Sequence, residues 1–457
     1  MKRSLNNIKP VATSHDVGLK RVLLASNESG CSLTQIAITD LRAGEVAQAH
    51  IHPDMQEGFY VMNGDLDVRM DEELIHCHTD DFMYVNSCTS HELRAVTDVR
   101  VMTIGCVIEA QRCKLYPMLF EPNLHEVVWG GNKLTMWKRM SVVDNIGESW
   151  EVSAVESSPS VISNGTWAGY NLPEVISKMP EAILGREVAK KYGGKLPLLV
   201  KFIDAQKDLS IQVHPDNEMA QREHGKFGKT EMWYVLDAEP GACLYSGFKN
   251  ELTPEEYKQK VEDGTIMDAL ARHEVHAGDV FYIPAGRVHA ICSGVLLAEV
   301  QQSSDLTYRI YDYNRLGLDG RPRELHTDLA AKALSYQVED EYRTEYSTEE
   351  NRANRVVESP FFSVRVTELE EPFHRNLIKY DSFIITMCLK GDCKLRIRST
   401  QEEVLLREGY SCLIPAAIAD YDVLPIDGHT KILDAFIDNM NRSIGHRLTR
   451  FLHITSK

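Results

Sequence analysis

The chain has 457 residues, enough for about three domains, and its hydrophobic fraction of 43% is ordinary for a globular protein. A formal net charge of -17 disfavours a general binder of nucleic acid or of anionic membranes, although a few cations can still make one pocket positive. No run approaches the ~18 apolar residues of a membrane span. Because the N-terminus lacks the apolar core of a signal peptide and the ten cysteines form no CxxC pair, we expect a cytoplasmic protein with reduced thiols.

Strand patterns with glycine turns dominate the first 110 residues. The segments GFYVMNGDLDVRM and DVRVMTIGCVIE have the alternation of half-buried strands. Turns at such short spacing are typical of an all-β barrel or jelly roll. In the same region, AHIHPDMQEG places His50 and His52 two residues apart, so a strand would direct both imidazoles to one face.

Helical patterns are concentrated in the middle of the chain. Residues 175–192 predict a pair of helices interrupted by Pro180. Thr253 precedes a proline and a capping-box glutamate, which predicts a helix over 255–275. These helices would interrupt an otherwise β-rich chain.

Two further segments follow the predicted helices. Residues 326–334 predict another helix, with Thr327 as its cap. The charged residues 338–355 are interpreted as a connector to the last domain. An exposed strand is the alternative for this segment, because its tyrosines alternate.

One strand pattern occurs three times, as DDFMYVNSCTSHEL, GDVFYIPAGRVHAI and EGYSCLIPAAIADYD. Each copy has a turn, a short apolar strand and a turn of small residues before one fixed position. That position holds His91 in the first copy, His289 in the second and Asp420 in the third. Internal repetition of this kind predicts three related barrels.

The second copy belongs to a candidate metal site. In LSIQVHPDNE, Gln212 and His214 would share one face of a strand. Glu231 begins the strong strand pattern EMWYVL, and His289 follows the turn of the repeat. Two imidazoles, one carboxylate and one amide oxygen leave room for substrate, as a catalytic zinc site requires. The amide adds no negative charge, so the metal would remain a strong Lewis acid.

Several long segments resemble one enzyme family. LPLLVKFIDAQKDLSIQVHPDNE, GKTEMWYVL and IPAGRVHAICSGVLLAEVQQSSDLTYRIYDYNR are similar to the bacterial form of the type I mannose-6-phosphate isomerases. LYPMLFEPNLHEVVWGG resembles the segment that opens these enzymes, so the resemblance runs from about residue 115 to 335. It implies a zinc-dependent cupin enzyme that interconverts mannose 6-phosphate and fructose 6-phosphate, with the four residues above as zinc ligands.

The resemblance also implies roles around the metal. Arg309 matches an active-site arginine, Lys201, Ser210 and Lys229 match positions near the sugar phosphate, and Glu299 matches an acidic residue near the reacting carbons. Isomerisation through an enediol requires a base between C1 and C2, and both Glu299 and Lys229 are candidates. Arg309 cannot be a neutral base at ordinary pH, so it would stabilise charge or bind phosphate.

The N-terminal segment GEVAQAHIHPDMQEGFYVMNG resembles the first signature of the cupin superfamily. The resemblance implies a second metal site whose identity is open among Mn, Fe, Co, Ni and Zn. The second signature is only partly kept, because Asn86 and Cys88 replace the usual proline and glycine. The implied ligands are His50, His52, Glu57 and His91.

The role of this second site remains open at the level of sequence. A second sugar isomerase or epimerase, an effector sensor, a structural metal and an iron-dependent oxygenase are all compatible with it. His76 and His78 are expected to be solvated strand residues. The C-terminal barrel lacks the paired histidines and is expected to be structural.

The predicted architecture is mainly β, with three cupin-like jelly-roll barrels and a few helices inserted in the middle, catalytic domain. The predicted domains are 1–112, 113–337 and 338–457. The expected partner is a small phosphorylated sugar, with neither nucleic acid nor membrane, and the oligomeric state is open. The alternative function is a non-catalytic, metal-containing regulator that binds sugar phosphate. Retention of all the charged active-site residues argues against it, because a structural metal needs none of them.

Overall fold

Antiparallel strands dominate the computed structural model of the chain. Contacts divide it into two units, Met1–Leu115 and Tyr116–Lys457. No helix among the described residues is long and apolar enough to cross a membrane. The structure describes residues 2–13, 17–25, 28, 33–52, 55–71, 73–87, 89–107, 115–426 and 428–439.

The first unit is built from short strands after a 3-10 turn at Leu5–Asn7. The strand patterns predicted at 58–70 and 98–109 are confirmed where the structure describes them. The strands are β1 (Val11–Ala12), β2 (Leu19–Ala25), β3 (Leu33–Leu41), β4 (Val46–His50), β5 (Met55–Asn63), β6 (Leu66–Met70), β7 (Glu73–Cys77), β8 (Phe82–Val85), β9 (His91–Ala95) and β10 (Val99–Val107).

The second unit begins with strands and helices in alternation. Its first strands are β11 (Met118–Leu119), β12 (Leu124–Gly131), β13 (Ile146–Val152), β14 (Leu198–Ala205), β15 (Ile211–Val213), β16 (Glu231–Ala238), β17 (Cys243–Phe248), β18 (Leu270–Glu274), β19 (Val280–Ile283), β20 (His289–Ile291), β21 (Val295–Gln302) and β22 (Tyr308–Tyr311). Its helices are α1 (Lys133–Trp137), α2 (Leu172–Lys178), α3 (Pro180–Leu184), α4 (Arg186–Tyr192), α5 (Asn217–His224), α6 (Pro254–Glu262) and α7 (Thr327–Ala333).

The remainder of the second unit is again a run of strands. The boundary predicted at 337/338 remains a prediction. The strands are β23 (Asn354–Glu358), β24 (Ser363–Leu369), β25 (Phe373–Asn376), β26 (Ile384–Lys390), β27 (Cys393–Ile397), β28 (Glu403–Leu406), β29 (Ser411–Ile414), β30 (Asp420–Pro425) and β31 (Thr430–Phe436).

One strand order occurs three times. The strands β3 to β10 form the sheets β3-β10-β5-β8 and β4-β9-β6-β7. The strands β14 to β21 form β14-β21-β16-β19 and β15-β20-β17-β18, and β24 to β31 repeat the same order. In every set the first strand pairs with the eighth and the second with the seventh, which is the topology of an eight-stranded jelly roll. The prediction of a mainly β fold with three related jelly rolls is confirmed.

Apolar side chains fill the space between the two sheets of each jelly roll. In the first one, Val61, Leu66 and Val68 have no solvent exposure. Burying each such side chain contributes about 1.5–3 kcal/mol. In the middle jelly roll, a second apolar layer forms on the outer face of the β15-containing sheet, where Tyr257 of α6 and Ala330 of α7 pack. The inserted helices therefore cover one sheet of the middle jelly roll and leave its interior for other side chains.

The helix boundaries differ from the predicted ones for local reasons. The capping box at Thr253 is present, but α6 ends at Glu262, because Gly264 turns the chain with a φ of 70° and β18 follows. The predicted helical pair at 175–192 is three short helices. Besides Pro180, Gly185 breaks it with a φ of 91°, where a Cβ atom would collide with the Asp381 carbonyl.

The last predicted helix and the connector are close to expectation. α7 is present, but His326 occupies the cap and Thr327 is the first helical residue. No helix or strand forms in residues 338–353, as expected of a connector. The alternative of an exposed strand is wrong, because Tyr342 is buried and its hydroxyl donates to the Phe248 carbonyl at 3.1 Å.

The third jelly roll differs from the other two at Asp420, the position that holds His91 and His289 in the first two copies of the repeat. Asp420 begins β30 as His91 begins β9 and His289 begins β20. The inward-facing side chain is instead Tyr421, which is fully buried in the core. Asp420 lies at the half-exposed rim, where the His374 Nε2 is 2.6 Å from its carboxylate. The turn before it is a 3-10 helix, Ala416–Ile418, which accompanies this change of face.

A buried ion pair joins the middle and third jelly rolls within the second unit. Lys138 Nζ lies 2.7 Å from Glu151 Oε1, and both side chains are almost completely buried. The same ammonium donates to the Gly409 carbonyl and lies 4.4 Å from the centre of the Tyr410 ring. Ser411 donates to the other carboxylate oxygen at 3.2 Å. Both the ammonium and the carboxylate therefore have close polar partners. Removal of one charge leaves the other buried and unpaired.

Replacing Lys138 by methionine should destabilise the second unit by about 3–5 kcal/mol, because Glu151 loses its cation in a buried position. Urea unfolding of the full chain would measure the loss. A Lys138→Met, Glu151→Gln double variant should recover most of it, since no charge then remains buried. Equal instability of the single and double variants would show that packing, and not charge, holds this contact.

Candidate functional site

Three candidate ligands meet at one rim of the middle jelly roll. His214 directly follows β15, Glu231 begins β16 and His289 begins β20. The Nε2 atoms of His214 and His289 are 3.1 Å apart, and each lies 3.4 Å from an oxygen of Glu231. All three side chains are at most 1% exposed. The structure therefore brings together the two imidazoles and the carboxylate that the sequence predicts as ligands.

Gln212 lies beside this cluster. It is the cross-strand partner of His289, and its amide Nε2 is 3.4 Å from the His289 Nε2. The Ser210 hydroxyl donates to the amide oxygen at 3.4 Å. Coordination needs the amide oxygen on the side of His289, and a half-turn of the amide exchanges its two similar ends. Ser210 therefore lies where it can influence which end of the amide faces the cluster.

A backbone hydrogen bond sets the ring orientation of three histidines. In His50, His91 and His289, the Nδ1 atom contacts the carbonyl oxygen two residues earlier, at 2.8, 3.1 and 2.8 Å. A carbonyl can only accept, so Nδ1 carries the proton and Nε2 keeps its lone pair. In all three cases the Nε2 atom is the one available to a metal ion.

The electrostatics of the middle cluster favour metal-competent protonation states. Burial, assisted by Lys229, lowers the pKa of His214 to about 3, and burial also lowers the pKa of His289. Burial alone would raise the pKa of Glu231, but Lys229 and His214 outweigh it and hold that pKa well below its usual range. Neutral imidazoles and an ionised carboxylate are the donor set of a divalent ion such as zinc. The residues present thus fit the metal that the resemblance implies.

Two lysines and a second carboxylate lie next to the ligand cluster. Lys229 Nζ is 3.0 Å from Glu231 Oε2. Lys201 Nζ is 3.6 Å from Glu299 Oε1, and these two residues are cross-strand partners on β14 and β21. The Trp233 indole donates to Glu299 Oε2 at 3.0 Å. Lys201 and Glu299 therefore share a face of the β14-β21-β16-β19 sheet with Trp233 and the ligand Glu231, and Lys229 contacts the same ligand.

The two candidate bases have different charge states. Burial and the nearby Glu231 raise the pKa of Glu299. Burial opposes the charge of Lys229, but Glu231 and Glu299 more than compensate and raise its pKa. Glu299 can therefore exchange a proton nearer neutral pH than an ordinary glutamate, whereas Lys229 remains a cation.

Arg309 lies on β22, the edge strand of the sheet that also contains β15 and β20. It is the cross-strand partner of Gln212 on β22, and its Nη1 donates to the Glu324 carbonyl at 3.0 Å. Arg315 and Arg323 contribute positive charge nearby, and both pair with Asp312. Three guanidinium groups therefore lie at this end of the site, together with the carboxylates of Asp312 and Glu324.

A group of residues in the site lacks any local sequence signature. Glu148 Oε2 lies 3.3 Å from Lys201 and accepts from the Trp150 indole at 2.6 Å. The Lys201 ammonium is 4.7 Å from the centre of the Trp150 ring, on which His125 stacks at 4.5 Å. Had β13 been recognised in the sequence, strand alternation could have placed Trp150 inward. Its contact with Lys201 could not have been predicted, because the partner strand β14 is distant in sequence.

The N-terminal jelly roll brings together its four predicted ligands. Glu57 Oε2 is 3.2 Å from the Nε2 of His52 and 3.3 Å from that of His91. The His50 ring centroid lies 4.2 Å from that of His91. His52 is 31% exposed, in contrast to the buried histidines of the middle cluster. Burial alone would raise the pKa of Glu57, but His52 and His91 lower it to about 2.

The strand registers of the first and middle jelly rolls can be aligned residue by residue. The alignment shows that the surroundings of the two ligand clusters differ. Phe59 pairs with Thr103 as Trp233 pairs with Glu299. Thr103 therefore occupies the position of Glu299, and its partner Ala37 occupies that of Lys201. The first jelly roll has a ligand cluster without the second carboxylate and lysine of the middle one.

The third jelly roll contains an ion pair in its interior. The register places Ile384 where the other two jelly rolls have Glu57 and Glu231. Asp434 instead accepts from Arg375 at 2.5 Å and from Thr386 at 2.7 Å, with all three side chains buried. Among the described residues, no cluster of metal-ligand type is found in this jelly roll.

Two histidines outside the clusters, His76 and His78, lie at the surface of the first jelly roll. His76 and His78 are 66% and 72% exposed, and they contact Asp67 and Asp65. The expectation of solvated strand residues is confirmed for His76, whereas His78 is solvated but lies one residue beyond β7. Cys88, predicted to replace a signature glycine, lies outside the described residues.

Comparisons with known proteins agree with this division of the chain. Three family models match it: a cupin domain over residues 37–106, the catalytic domain of phosphomannose isomerase type I over 118–266, and the mannose-6-phosphate isomerase cupin domain over 352–436. The mannose-6-phosphate isomerase of Bacillus subtilis is 33% identical over 308 residues, which are 67% of this chain and 95% of that protein. The Streptococcus mutans enzyme is 32% identical over 319 residues, 69% of this chain and 97% of its own length.

A solved structure gives the same relationship. The crystal structure of the mannose 6-phosphate isomerase from Bacillus subtilis matches with a TM-score of 0.63 and 31% identity, over 70% of this chain and 99% of that one. Jelly rolls with histidine and glutamate clusters at their rims define the chain as a cupin protein. Within this class, the chain belongs to the type I mannose-6-phosphate isomerase family and carries an additional N-terminal cupin domain.

Proposed function

We propose that the chain interconverts mannose 6-phosphate and fructose 6-phosphate in its middle jelly roll. The observation that carries this proposal is the position of Glu299, a buried carboxylate with a raised pKa, beside the cluster of His214, Glu231 and His289. An aldose–ketose isomerase needs this combination of a proton-transfer group and a metal-ligand set within one pocket. The matched relatives carry the same activity in their names.

The metal that we propose for this site is zinc. Gln212, His214, Glu231 and His289 would hold it, because two neutral imidazoles, a carboxylate and an amide oxygen are ligands that zinc accepts. When bound, the ion supplies Lewis acidity toward the sugar carbonyl and the oxyanion of the enediol. Lys229, 3.0 Å from Glu231, offsets the negative charge of this ligand when no ion is present.

We assign proton transfer between C1 and C2 to Glu299. Its raised pKa suits a group that must both take and return a proton. The Trp233 indole fixes one carboxylate oxygen, and the other oxygen faces Lys201. Lys229 is a poor base, because its neighbouring carboxylates keep it protonated. Its positive charge is better suited to the substrate oxyanion.

The phosphate is assigned to the arginine end of the site. Arg309 lies near two further guanidinium groups, Arg315 and Arg323, and near the carboxylates of Asp312 and Glu324. Guanidinium groups bind phosphate oxygens with two parallel hydrogen bonds. Lys201 and Ser210 remain proposed substrate contacts, because Lys201 lies beside Glu299 and Ser210 lies beside Gln212. The substrate would therefore span the site from arginine to carboxylate.

The non-catalytic regulator is disfavoured by family membership and by this charge arrangement. A regulator needs a phosphate site but no carboxylate of raised pKa beside the metal. Lys201, Lys229 and Glu299 are all buried around the cluster. Desolvation of these charges costs free energy, and a non-catalytic metal site does not require them.

For the N-terminal jelly roll we propose a divalent ion held by His50, His52, Glu57 and His91. The element remains open, since these ligands suit several transition metals. The threonine and alanine in place of Glu299 and Lys201 leave this site without the proposed isomerase base. Its function is therefore different from that of the middle site. We also propose a cytoplasmic location, which the seven free cysteines of the described residues support.

Replacing Glu299 by glutamine should reduce the isomerase kcat by about 10²–10⁴-fold with a smaller change in KM, because the general base is lost while its shape is kept. A coupled assay of fructose 6-phosphate formation by the zinc-loaded chain would measure this. Glu403→Gln, on the exposed hairpin of β27 and β28, is the matched control and should retain full activity. Absence of isomerase activity in the wild type would return the regulator to first place.

Replacing Lys201 by methionine should shift the acidic limb of the kcat–pH profile to higher pH. Lys201 lowers the pKa of Glu299, so its loss raises that pKa and the base is protonated earlier as the pH falls. The wild-type limb should itself lie above the ordinary glutamate pKa. Lys394→Met, on an exposed strand, should leave the profile unchanged. A limb that moves to lower pH, or not at all, would exclude Glu299 as the titrating group.

Metal analysis should find two divalent ions per wild-type chain. Glu57→Gln and Glu231→Gln are matched changes, because each keeps the side-chain shape and removes one anionic ligand. Each should lose one ion after extensive dialysis, and only Glu231→Gln should lose isomerase activity. A Glu57→Gln chain that still holds two ions would remove the N-terminal metal site from the proposal.

A further inference from the structure

Two cysteines face each other on neighbouring strands of the middle jelly roll. Leu244 on β17 pairs with Ile291 on β20 in antiparallel register. The residue before Leu244, Cys243, therefore lies opposite the residue after Ile291, Cys292. The Cys292 N–H donates to the Cys243 carbonyl at 3.2 Å, which makes them a hydrogen-bonded pair. The Cα atoms of such pairs are about 5.5 Å apart, a separation that a disulfide spans.

The surroundings of this pair favour a thiolate at Cys243. A hydrogen bond from the Cys292 thiol and the charge of Arg272 on β18 outweigh burial and lower the pKa of Cys243 to about 7. Arg272 also donates to the Gly241 carbonyl at 3.1 Å, which holds its guanidinium near the pair. Both cysteines retain a little exposure, 8% for Cys243 and 7% for Cys292. A small oxidant can therefore reach them without unfolding of the jelly roll.

The chain contains a second close pair of cysteines with the opposite surroundings. Cys388 and Cys393 are hydrogen-bonded to each other and have no solvent exposure. Their hydrogen bond, burial, and the carboxylates of Glu408 and Asp392 raise the pKa of Cys388 well above its usual range. This pair is an internal control, because it matches the first in proximity and differs in charge and access.

We propose that Cys243 and Cys292 form a thiol pair that hydrogen peroxide or a small hydroperoxide oxidises to a disulfide between β17 and β20. The Cys243 thiolate attacks one peroxide oxygen and the O–O bond breaks. A proton from solvent completes the departing water, or the departing alcohol when the oxidant is a hydroperoxide. Cys243 is then a sulfenic acid. The Cys292 sulfur attacks the Cys243 sulfur, and its own proton leaves with the hydroxyl group as the second water. Together the two thiols lose two electrons, and one peroxide gains them.

This modification site is separate from the proposed isomerase chemistry. Cys292 lies one residue beyond β20, the strand that begins with His289. The disulfide would add a covalent link between this strand and β17, which already pairs with it at Ser246 and His289. The thiols are not needed for any step assigned to the middle cluster, so their oxidation can be measured independently of isomerase activity.

The test is peptide mapping of the full, reduced chain after treatment with one equivalent of hydrogen peroxide at pH 7. Remaining thiols are blocked with N-ethylmaleimide, and trypsin is used without reductant. We expect a linked pair of peptides 230–249 and 288–309, formed at least about tenfold faster than a link between 380–390 and 391–394. Cys292→Ser should stop the reaction at a Cys243 sulfenic acid, which dimedone traps.

Arg272→Gln provides a variant that keeps both cysteines. It should slow formation of the disulfide about fivefold at pH 7, because less Cys243 is present as thiolate. Linkage of both cysteine pairs at equal rates would overturn the proposal. So would accumulation of Cys243 sulfinic acid while Cys292 remains free in the wild type.

Discussion

A carboxylate with no access to water needs cations around it, and much of this structure follows from that requirement. Glu231 has 0% exposure and is surrounded by Lys229, His214 and His289. The cost of desolvating such a charge is several kcal/mol, and it is offset only when partners are close and well oriented. The same requirement is met at Glu151 by Lys138 and at Asp434 by Arg375.

The partners of the buried carboxylate are arranged differently in these three places, and each arrangement has a different consequence for function. At Glu231 one cation, Lys229, and two neutral imidazoles surround a point at which a metal ion can add positive charge, so the pocket can accept an ion. At Glu151 the cation is Lys138 from the same part of the chain, and the third jelly roll adds uncharged partners, because the Gly409 carbonyl accepts from Lys138 and Ser411 donates to Glu151. At Asp434 the guanidinium lies inside the same jelly roll, and no ion is needed. The shared strand order leaves each interior free to adopt a different solution.

Sequence predicted the parts of the site that depend on local pattern. His50, His52, Gln212 and His214 follow from strand alternation, and His91 and His289 from a repeated turn, so nearby residues determine their positions. Glu148 was not found, because only the pairing of β13 with β14 brings it to Lys201, and no short motif records that pairing.

The errors in the fold prediction have physical causes of the same kind. The helix after Thr253 ends thirteen residues earlier than predicted, because a glycine turn and strand pairing override a favourable helical composition. At Asp420 the aligned position is correct, but Tyr421 and not Asp420 faces inward, and a 3-10 turn precedes this change of face. A change of face of this type depends on backbone geometry, which residue spacing does not encode.

Trp233 links the optical properties of the chain to its candidate active site. Its indole donates to Glu299, and its ring lies edge-on to His289 with 5.3 Å between centroids. Indole emission is sensitive to adjacent charge, so ionisation of the carboxylate and occupation of the imidazole should both change it. The middle jelly roll therefore contains a built-in fluorescent reporter, positioned between the proton-transfer group and a metal ligand.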